Sequence, residues 1–97
     1  MAKQYTEKMH KEDEQKAEVL AALSHPLRLR MAQELYKNGP RNVKGFVELL
    51  GVSQPAVSQH LTRMRLSGVV DMKKEGTKVI YSVEDPRIKQ LLDVLYS

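Results

Sequence analysis

The stretch that decides the fold, residues 49–68, reads LLGVSQPAVSQHLTRMRLSG. Gly51 is suited to a tight turn, Ser53 can cap a helix, and Pro55 is tolerated in a first helical turn. Gly68 then stops the segment. The pattern therefore predicts a helix over residues 53–67 that begins directly after a turn.

A shorter helix is predicted on the other side of that turn. Asn42 can cap it. The apolar residues that recur at helical spacing before Gly51 are Val43, Phe46, Val47 and Leu50. Two helices joined by a tight glycine-containing turn form a helix-turn-helix, here over about residues 43–67.

The rest of the sequence predicts one winged helix-turn-helix domain over residues 1–97, mainly α with a small β-hairpin (α+β). The hairpin, or wing, follows from two β-rich runs around Glu75-Gly76. The predicted order is α-α-α-α-β-β-α. Its remaining elements are helices over residues 6–23, 26–37 and 86–96 and the wing over residues 69–83.

Composition and charge point to a nucleic-acid partner. The net charge is +4, and residues 25–50 and 51–83 each hold five basic and two acidic residues between acidic ends. A basic centre suits a polyanion. The chain has no cysteine, which excludes disulfides, thiolate metal sites and catalytic thiols. No stretch is typical of a signal peptide or membrane span, so we expect a cytoplasmic protein without a membrane partner.

The helix over residues 53–67 has one apolar side and one polar side without acid. Val57, Leu61 and Met64 mark the side that we expect to be buried. Glutamine, serine and arginine can bond base edges or phosphates in a major groove. The residues predicted to read bases are Gln54, Pro55, Ser58 and Gln59. The residues predicted to hold the DNA backbone are Ser53, Thr62, Arg63, Arg65, Lys73, Lys74 and Lys78.

Three stretches resemble the ArsR/SmtB family of winged-helix repressors: AALSHPLRLR (residues 21–30), LLGVSQPAVSQHL (49–61) and VIYSV (79–83). The resemblance implies a homodimer, built through the first and last helices, that represses transcription from a palindromic double-stranded DNA operator. The dimer-interface residues expected on those helices are Val19, Leu20, Leu23, Ile88, Leu91, Leu92 and Leu95.

The positions that carry metal ligands in this family have other residues here. The cysteine-rich motif of the third helix falls on residues 42–44, which read NVK, and a further cysteine position falls on Val47. On the last helix Asp85 matches an acidic ligand, but Arg87 occupies a histidine position. We therefore expect neither metal nor cofactor. SQHL at residues 58–61 and ELYK at residues 34–37 resemble the metal-ligand-free, PagR-like branch.

Two alternative functions stay open on the sequence alone. The basic face could serve a protein partner, or a metal could bind an atypical histidine and carboxylate site. Against the second, His25 and His60 lie in motif positions that favour structural roles, and His10 with residues 12–14 is typical of a solvated acidic patch. No catalytic constellation stands out, so we predict no enzyme activity. The sequence identifies no effector.

Overall fold

Over the residues that it describes, the structure contains five helices and one β-hairpin in the predicted order. The computed structural model describes residues 4–97. Its elements are α1 (Glu7–Leu23), α2 (Pro26–Asn38), α3 (Val43–Leu50), α4 (Gln54–Leu66), β1 (Asp71–Glu75), β2 (Lys78–Ser82) and α5 (Pro86–Leu95). The mainly α winged helix-turn-helix is thereby confirmed.

Side-chain caps start the helices where the sequence predicts. The Asn42 Oδ1 accepts a hydrogen bond from the Gly45 amide at 2.8 Å at the start of α3. The Ser53 Oγ accepts one from the Ala56 amide at 3.4 Å at the start of α4. Each cap satisfies an amide that has no partner within its own helix, and this fixes where the helix begins.

Glycines at positive φ end the two helices of the helix-turn-helix. Gly51 has a φ of 65° and is left-handed. Gly68 has a φ of 83°, its amide donates to the Arg65 carbonyl at 3.1 Å, and the Val69 amide donates to the Met64 carbonyl at 2.9 Å. This pair of bonds is a Schellman motif.

The Schellman motif also corrects the predicted start of the wing. The sequence predicts Val69 and Val70 in the wing, but both lie in the core, with 1% and 2% of their surface exposed. Because the chain reverses at Gly68, these valines turn inward, and the strand begins only at Asp71. Burial under α4 explains why these two residues are apolar. The Val69 amide is hydrogen bonded to the last turn of that helix.

α2 lies at the centre of the molecule and packs against α1, α4, α5 and β2, while α3 packs against α4. The largest fully buried side chains include Phe46 of α3, Met31 of α2 and Leu61 of α4. Burial of these groups supplies the main favourable free energy of folding. The remaining core residues are Ala22, Leu23, Ala32, Leu35, Val57, Met64, Val69, Val70, Tyr81, Val83, Ile88 and Leu92.

Most of α1 stands clear of this core. It is 17 residues long, yet only Ala22 and Leu23, in its last turn, are buried. The molecule is accordingly elongated, with extents of 55 × 30 × 22 Å. Within residues 4–97, no helix has the length and apolar character that crossing a membrane requires.

The wing is an antiparallel hairpin with a two-residue turn. Glu75 pairs with Lys78, and Gly76 between them has a φ of 64°. A glycine at positive φ in the first turn position is what a type II′ hairpin turn needs. All five residues of β1 are exposed, whereas β2 contributes the buried Tyr81 to the core.

Candidate nucleic-acid interface

α4 presents one face to the core and another to solvent. Val57, Leu61 and Met64 are fully buried, as predicted. On the outer side, Ser58 is half-buried, and the exposed residues are Ser53, Gln54, Pro55, Gln59 and Thr62. This outer surface, which we call the recognition face, comprises Ser53, Gln54, Pro55, Ser58, Gln59 and Thr62. It carries no carboxylate of α4, so a polyanion can approach it.

The start of α4 adds a positive end to the recognition face. Ser53 caps the helix through the Ala56 amide. Pro55 has no N–H, and the Gln54 amide lies in the first turn, where no intrahelical acceptor is available. The aligned peptide dipoles make this end favourable for an anion. The phosphate contact at Ser53 stays a prediction.

The two arginines of α4 point to different neighbours. Nη2 of Arg63 lies 3.1 Å from Oε1 of Glu18 on α1, and both side chains are about half exposed. Glu18 and Arg63 line a shallow depression together with Ser58, Gln59, Thr62 and Leu66. Arg65 instead lines a groove between α1 and α5, alongside Leu20 and Asp85. The structure therefore places Arg63 beside Ser58, Gln59 and Thr62, and Arg65 at the groove between α1 and α5.

The three wing lysines are exposed but lie on two faces of the hairpin. Lys78 pairs directly with Glu75, and Lys73 is two residues from Glu75 on β1. Successive strand residues alternate between faces, so Lys73 and Lys78 share one face and Lys74 lies on the other. Tyr81 is on the same face as Lys74 and is buried. Two lysines thus lie on the outer face, where the Lys73 Nζ is also 3.5 Å from the Glu75 carboxylate.

Arg41, which the sequence analysis did not single out, attaches the wing to the helix-turn-helix. Its amide donates to the Tyr81 carbonyl at 3.1 Å, and the Tyr81 amide donates back to the Arg41 carbonyl at 2.8 Å. Its guanidinium also lies 3.9 Å from the Glu34 carboxylate of α2. A single bridge has no sequence period, so no pattern could reveal it. It holds β2 beside the segment that leads into α3.

His25 and His60 belong to a cluster that joins α1, α2 and α4. The His25 Nδ1 accepts from the Leu27 amide at 3.1 Å and caps α2. The Arg28 Nε donates to the Ala22 carbonyl of α1, and its Nη1 lies 3.4 Å from the His60 Nδ1. Burial, followed by the nearby charges of His25 and Arg28, lowers the pKa of His60. These contacts agree with the structural roles predicted for both histidines.

The candidate metal positions are engaged in other contacts. The Asp85 carboxylate caps α5 by accepting from the Arg87 amide at 2.9 Å, and it pairs with the Arg87 guanidinium at 3.1 Å. These hydrogen bonds lower the pKa of Asp85. The His10 Nε2 lies 3.3 Å from the Glu14 carboxylate. Among residues 4–97, no three histidine, aspartate or glutamate side chains are grouped closely enough to hold a metal ion.

The residues expected at a dimer interface differ in burial and fall into three groups. Leu23, Ile88 and Leu92 lie in the core of the protomer itself. Val19 is half-buried. The exposed set consists of Leu20, Leu91 and Leu95.

Of these exposed leucines, Leu20 and Leu91 line the groove between α1 and α5, as do Leu66 and Val94. Leu66 and Val94 are both 74% exposed, and the sequence analysis did not single them out. The sequence does hold a signal for Leu66. This leucine lies off the helical spacing of the buried residues of α4, so packing of α4 against the core does not explain why it is apolar.

Comparisons with known proteins agree with this architecture. A family model described as "Bacterial regulatory protein, arsR family" matches residues 25–72. The transcriptional repressor PagR of Bacillus anthracis is 36% identical over 82 residues, which cover 84% of this chain and 82% of PagR. The crystal structure of PagR matches with a TM-score of 0.80 at 34% identity, covering 89% of this chain and 98% of that one.

Two further relatives extend the comparison. The biofilm growth-associated repressor of Xylella fastidiosa is 32% identical over 91 residues, covering 94% of this chain and 79% of the repressor. A solution NMR structure from Mycobacterium bovis is described as a homodimeric winged helix-turn-helix DNA-binding domain of a possible ArsR-family transcriptional regulator. It has a TM-score of 0.86 at 25% identity and covers 99% of this chain and 87% of that one.

These similarities confirm the resemblance drawn from the sequence motifs, including the likeness to PagR. The relatives are named as transcriptional repressors or regulators, in agreement with a DNA-binding regulator and not an enzyme. Since PagR aligns along most of both chains at 36% identity, the chain belongs to the arsR family of bacterial regulatory proteins.

Proposed function

We propose that this regulator is a homodimeric repressor, in which residues 1–97 form one DNA-binding domain and each copy places α4 in the major groove of half a palindromic operator. The observation that carries the proposal is the exposure of the recognition face. Three fully buried residues, Val57, Leu61 and Met64, hold α4 from behind and leave that face open. A helix anchored on one side and polar on the other can enter a major groove.

The recognition face offers chemistry suited to base edges. The amides of Gln54 and Gln59 can form paired hydrogen bonds with adenine. Ser58 can donate to or accept from several bases, and Pro55 can contact a thymine methyl group. We assign base reading to these four residues because they are on the first two turns of α4, next to its positive end.

Backbone contacts would surround this base-reading centre. Ser53 and Thr62 border it, and Arg63 lies beside it. The wing lysines Lys73, Lys74 and Lys78 would hold phosphates further along the duplex. Arg65 would reach the backbone from the side of the α1–α5 groove. Such contacts add affinity on every sequence and make binding dependent on salt.

A second copy of this chain fits the groove between α1 and α5. Leu20, Leu66, Leu91 and Val94 leave an apolar surface there that a monomer would expose to water. The Mycobacterium bovis relative is homodimeric. Two-fold symmetry would then place two α4 helices on successive turns of DNA, so the operator would be a palindrome.

Selection of binding sites from random-sequence DNA tests this function. We expect the purified chain to enrich a palindrome with half-sites about 10 base pairs apart. Its affinity for that site should exceed its affinity for random DNA by about 10³-fold or more. The selected site, placed over a promoter, should lower transcription when the chain is present. Failure to enrich any sequence would disprove base reading and favour a protein partner for the basic face.

A further inference from the structure

A carboxylate of α1 lies beside the recognition face of α4. Glu18 lines the same depression as Ser58, Gln59 and Thr62, and its Oε1 is 3.1 Å from Nη2 of Arg63. The recognition face itself has no acid. Glu18 is therefore the negative charge that a DNA backbone would meet when it reaches Arg63.

A second arginine adjoins this ion pair. Arg28 is fixed by hydrogen bonds to the Ala21 and Ala22 carbonyls at the end of α1. Burial, followed by the charge of Arg63, lowers the pKa of Arg28, and the charge of Glu18 acts in the opposite direction. Arg28 is thus anchored at the end of α1, whereas the Arg63 side chain is about half exposed. The carboxylate draws Arg63 toward α1, whereas Arg28 pushes it away.

We propose that Glu18 is a positioning residue that holds Arg63 against α1 and thereby keeps this arginine from contributing fully to the grip on DNA phosphates. The inference rests on the proposed DNA binding. An arginine paired with a carboxylate carries little net charge toward the duplex, and it must leave that partner before it can bind a phosphate. Glu18 thus lowers affinity for all DNA sequences alike, and the base contacts then account for a larger share of the binding.

The size of the effect follows from the number of charges involved. Exposed ion pairs contribute little, so releasing Arg63 should raise affinity by up to about fivefold per protomer. Each additional phosphate neutralised steepens the dependence of log affinity on log salt by about 0.9. A dimer with two released arginines should therefore show a slope steeper by up to about 1.8. A purely structural role for Glu18 would not change that slope.

The decisive variant is Glu18→Gln, which keeps the shape of the side chain and removes its charge. The probe is a random-sequence duplex titrated over a range of salt concentrations, so no operator need be known. We expect tighter binding and a steeper salt slope than in the unaltered chain. Both Glu18 and Arg63 are about half exposed, so thermal unfolding should be nearly unchanged.

Two further variants separate positioning from the removal of a charge. Glu14→Gln makes the same charge change one turn earlier on α1, where Glu14 pairs with His10, and it should leave the slope unchanged. In an Arg63→Ala background, Glu18→Gln should have no further effect. Equal gains from Glu14→Gln and Glu18→Gln, or a gain that persists without Arg63, would overturn the inference.

Each of the remaining outcomes would also overturn the proposed role of Glu18. Weaker binding by Glu18→Gln would overturn the proposal, because it would mean that Glu18 supports the phosphate contact of Arg63. If the unaltered chain binds no DNA, the proposed function fails and this inference fails with it. If the unaltered chain binds DNA and Glu18→Gln matches it at every salt concentration, only this inference fails.

Discussion

Replacing Gln54 by alanine should weaken operator binding without weakening the fold. Gln54 is exposed in the first turn of α4. Its side-chain amide forms no hydrogen bond with any other residue in the described range 4–97. Truncation therefore removes no contact that holds the protomer together, and the loss should appear in DNA binding alone.

The expected magnitude follows from the symmetry of the complex. A well-placed pair of hydrogen bonds to one base favours that base over a wrong base by about 1–3 kcal/mol. Both copies of the dimer lose this contact on a palindrome, so Gln54→Ala should cost about 2–6 kcal/mol there. Each 1.4 kcal/mol is about a factor of ten in affinity, so the loss is at least about 25-fold. On random DNA, where no base is matched, affinity should barely change.

Fluorescence anisotropy with the selected operator and with a random duplex, at one salt concentration, measures both affinities. Gln4→Ala, the same truncation at an exposed position before α1, serves as the control and should bind like the unaltered chain. On an operator altered in one half-site, Gln54→Ala should lose about half as much binding free energy as on the intact palindrome. Equal losses of the Gln54→Ala variant on operator and random DNA would refute base reading, as would a drop in thermal stability that matches the loss of binding.

Three further predictions follow from the same structure. Lys78→Ala should weaken binding to operator and random DNA alike and flatten the salt slope by about 0.9 per protomer, measured by titration in increasing salt. Leu20→Glu should place a charge in the α1–α5 groove and yield monomers in sedimentation analysis, whereas Leu49→Glu, on the exposed side of α3, should leave the dimer intact. The folded chain lowers the pKa of His60, so below the ordinary value of 6.5 the unfolded chain binds more protons, and the free energy of unfolding should fall as the pH drops. His60→Gln should reduce that fall in chemical denaturation, while His10→Gln should leave it in place.

Local signals in the sequence predicted most of the fold. The caps Asn42 and Ser53 and the glycines that end α3 and α4 act within a few residues, so their geometry could be inferred without knowing the rest of the chain. The buried stripe of α4 follows from helical spacing alone. The sequence predicts Val70 in the wing because an apolar β-branched residue is equally suited to a strand and to a buried turn.

Which neighbour each exposed group meets could not be predicted. The spacing in α1 and α5 identifies an apolar face, but it does not show which residues of that face are buried within the protomer. In α5, Leu92 lies in the core, whereas Leu95 is exposed. The pairing of Glu18 with Arg63 depends on how α1 crosses α4. The separation of Lys74 from the other wing lysines depends on the hairpin register. These contacts join distant parts of the chain, and no local pattern encodes them.

The bridge between Arg41 and Tyr81 allows the part of the wing beyond it to differ in length. The hairpin is anchored at that bridge, and β1 contributes no buried residue. Adding two residues to each strand would extend the tip by about 7 Å while the core stays as it is. If the wing holds phosphates as proposed, insertion at Gly76 would change the length of duplex that one protomer covers without a compensating change elsewhere. In an engineered repressor, wing length and α4 sequence could be varied as separate design parameters.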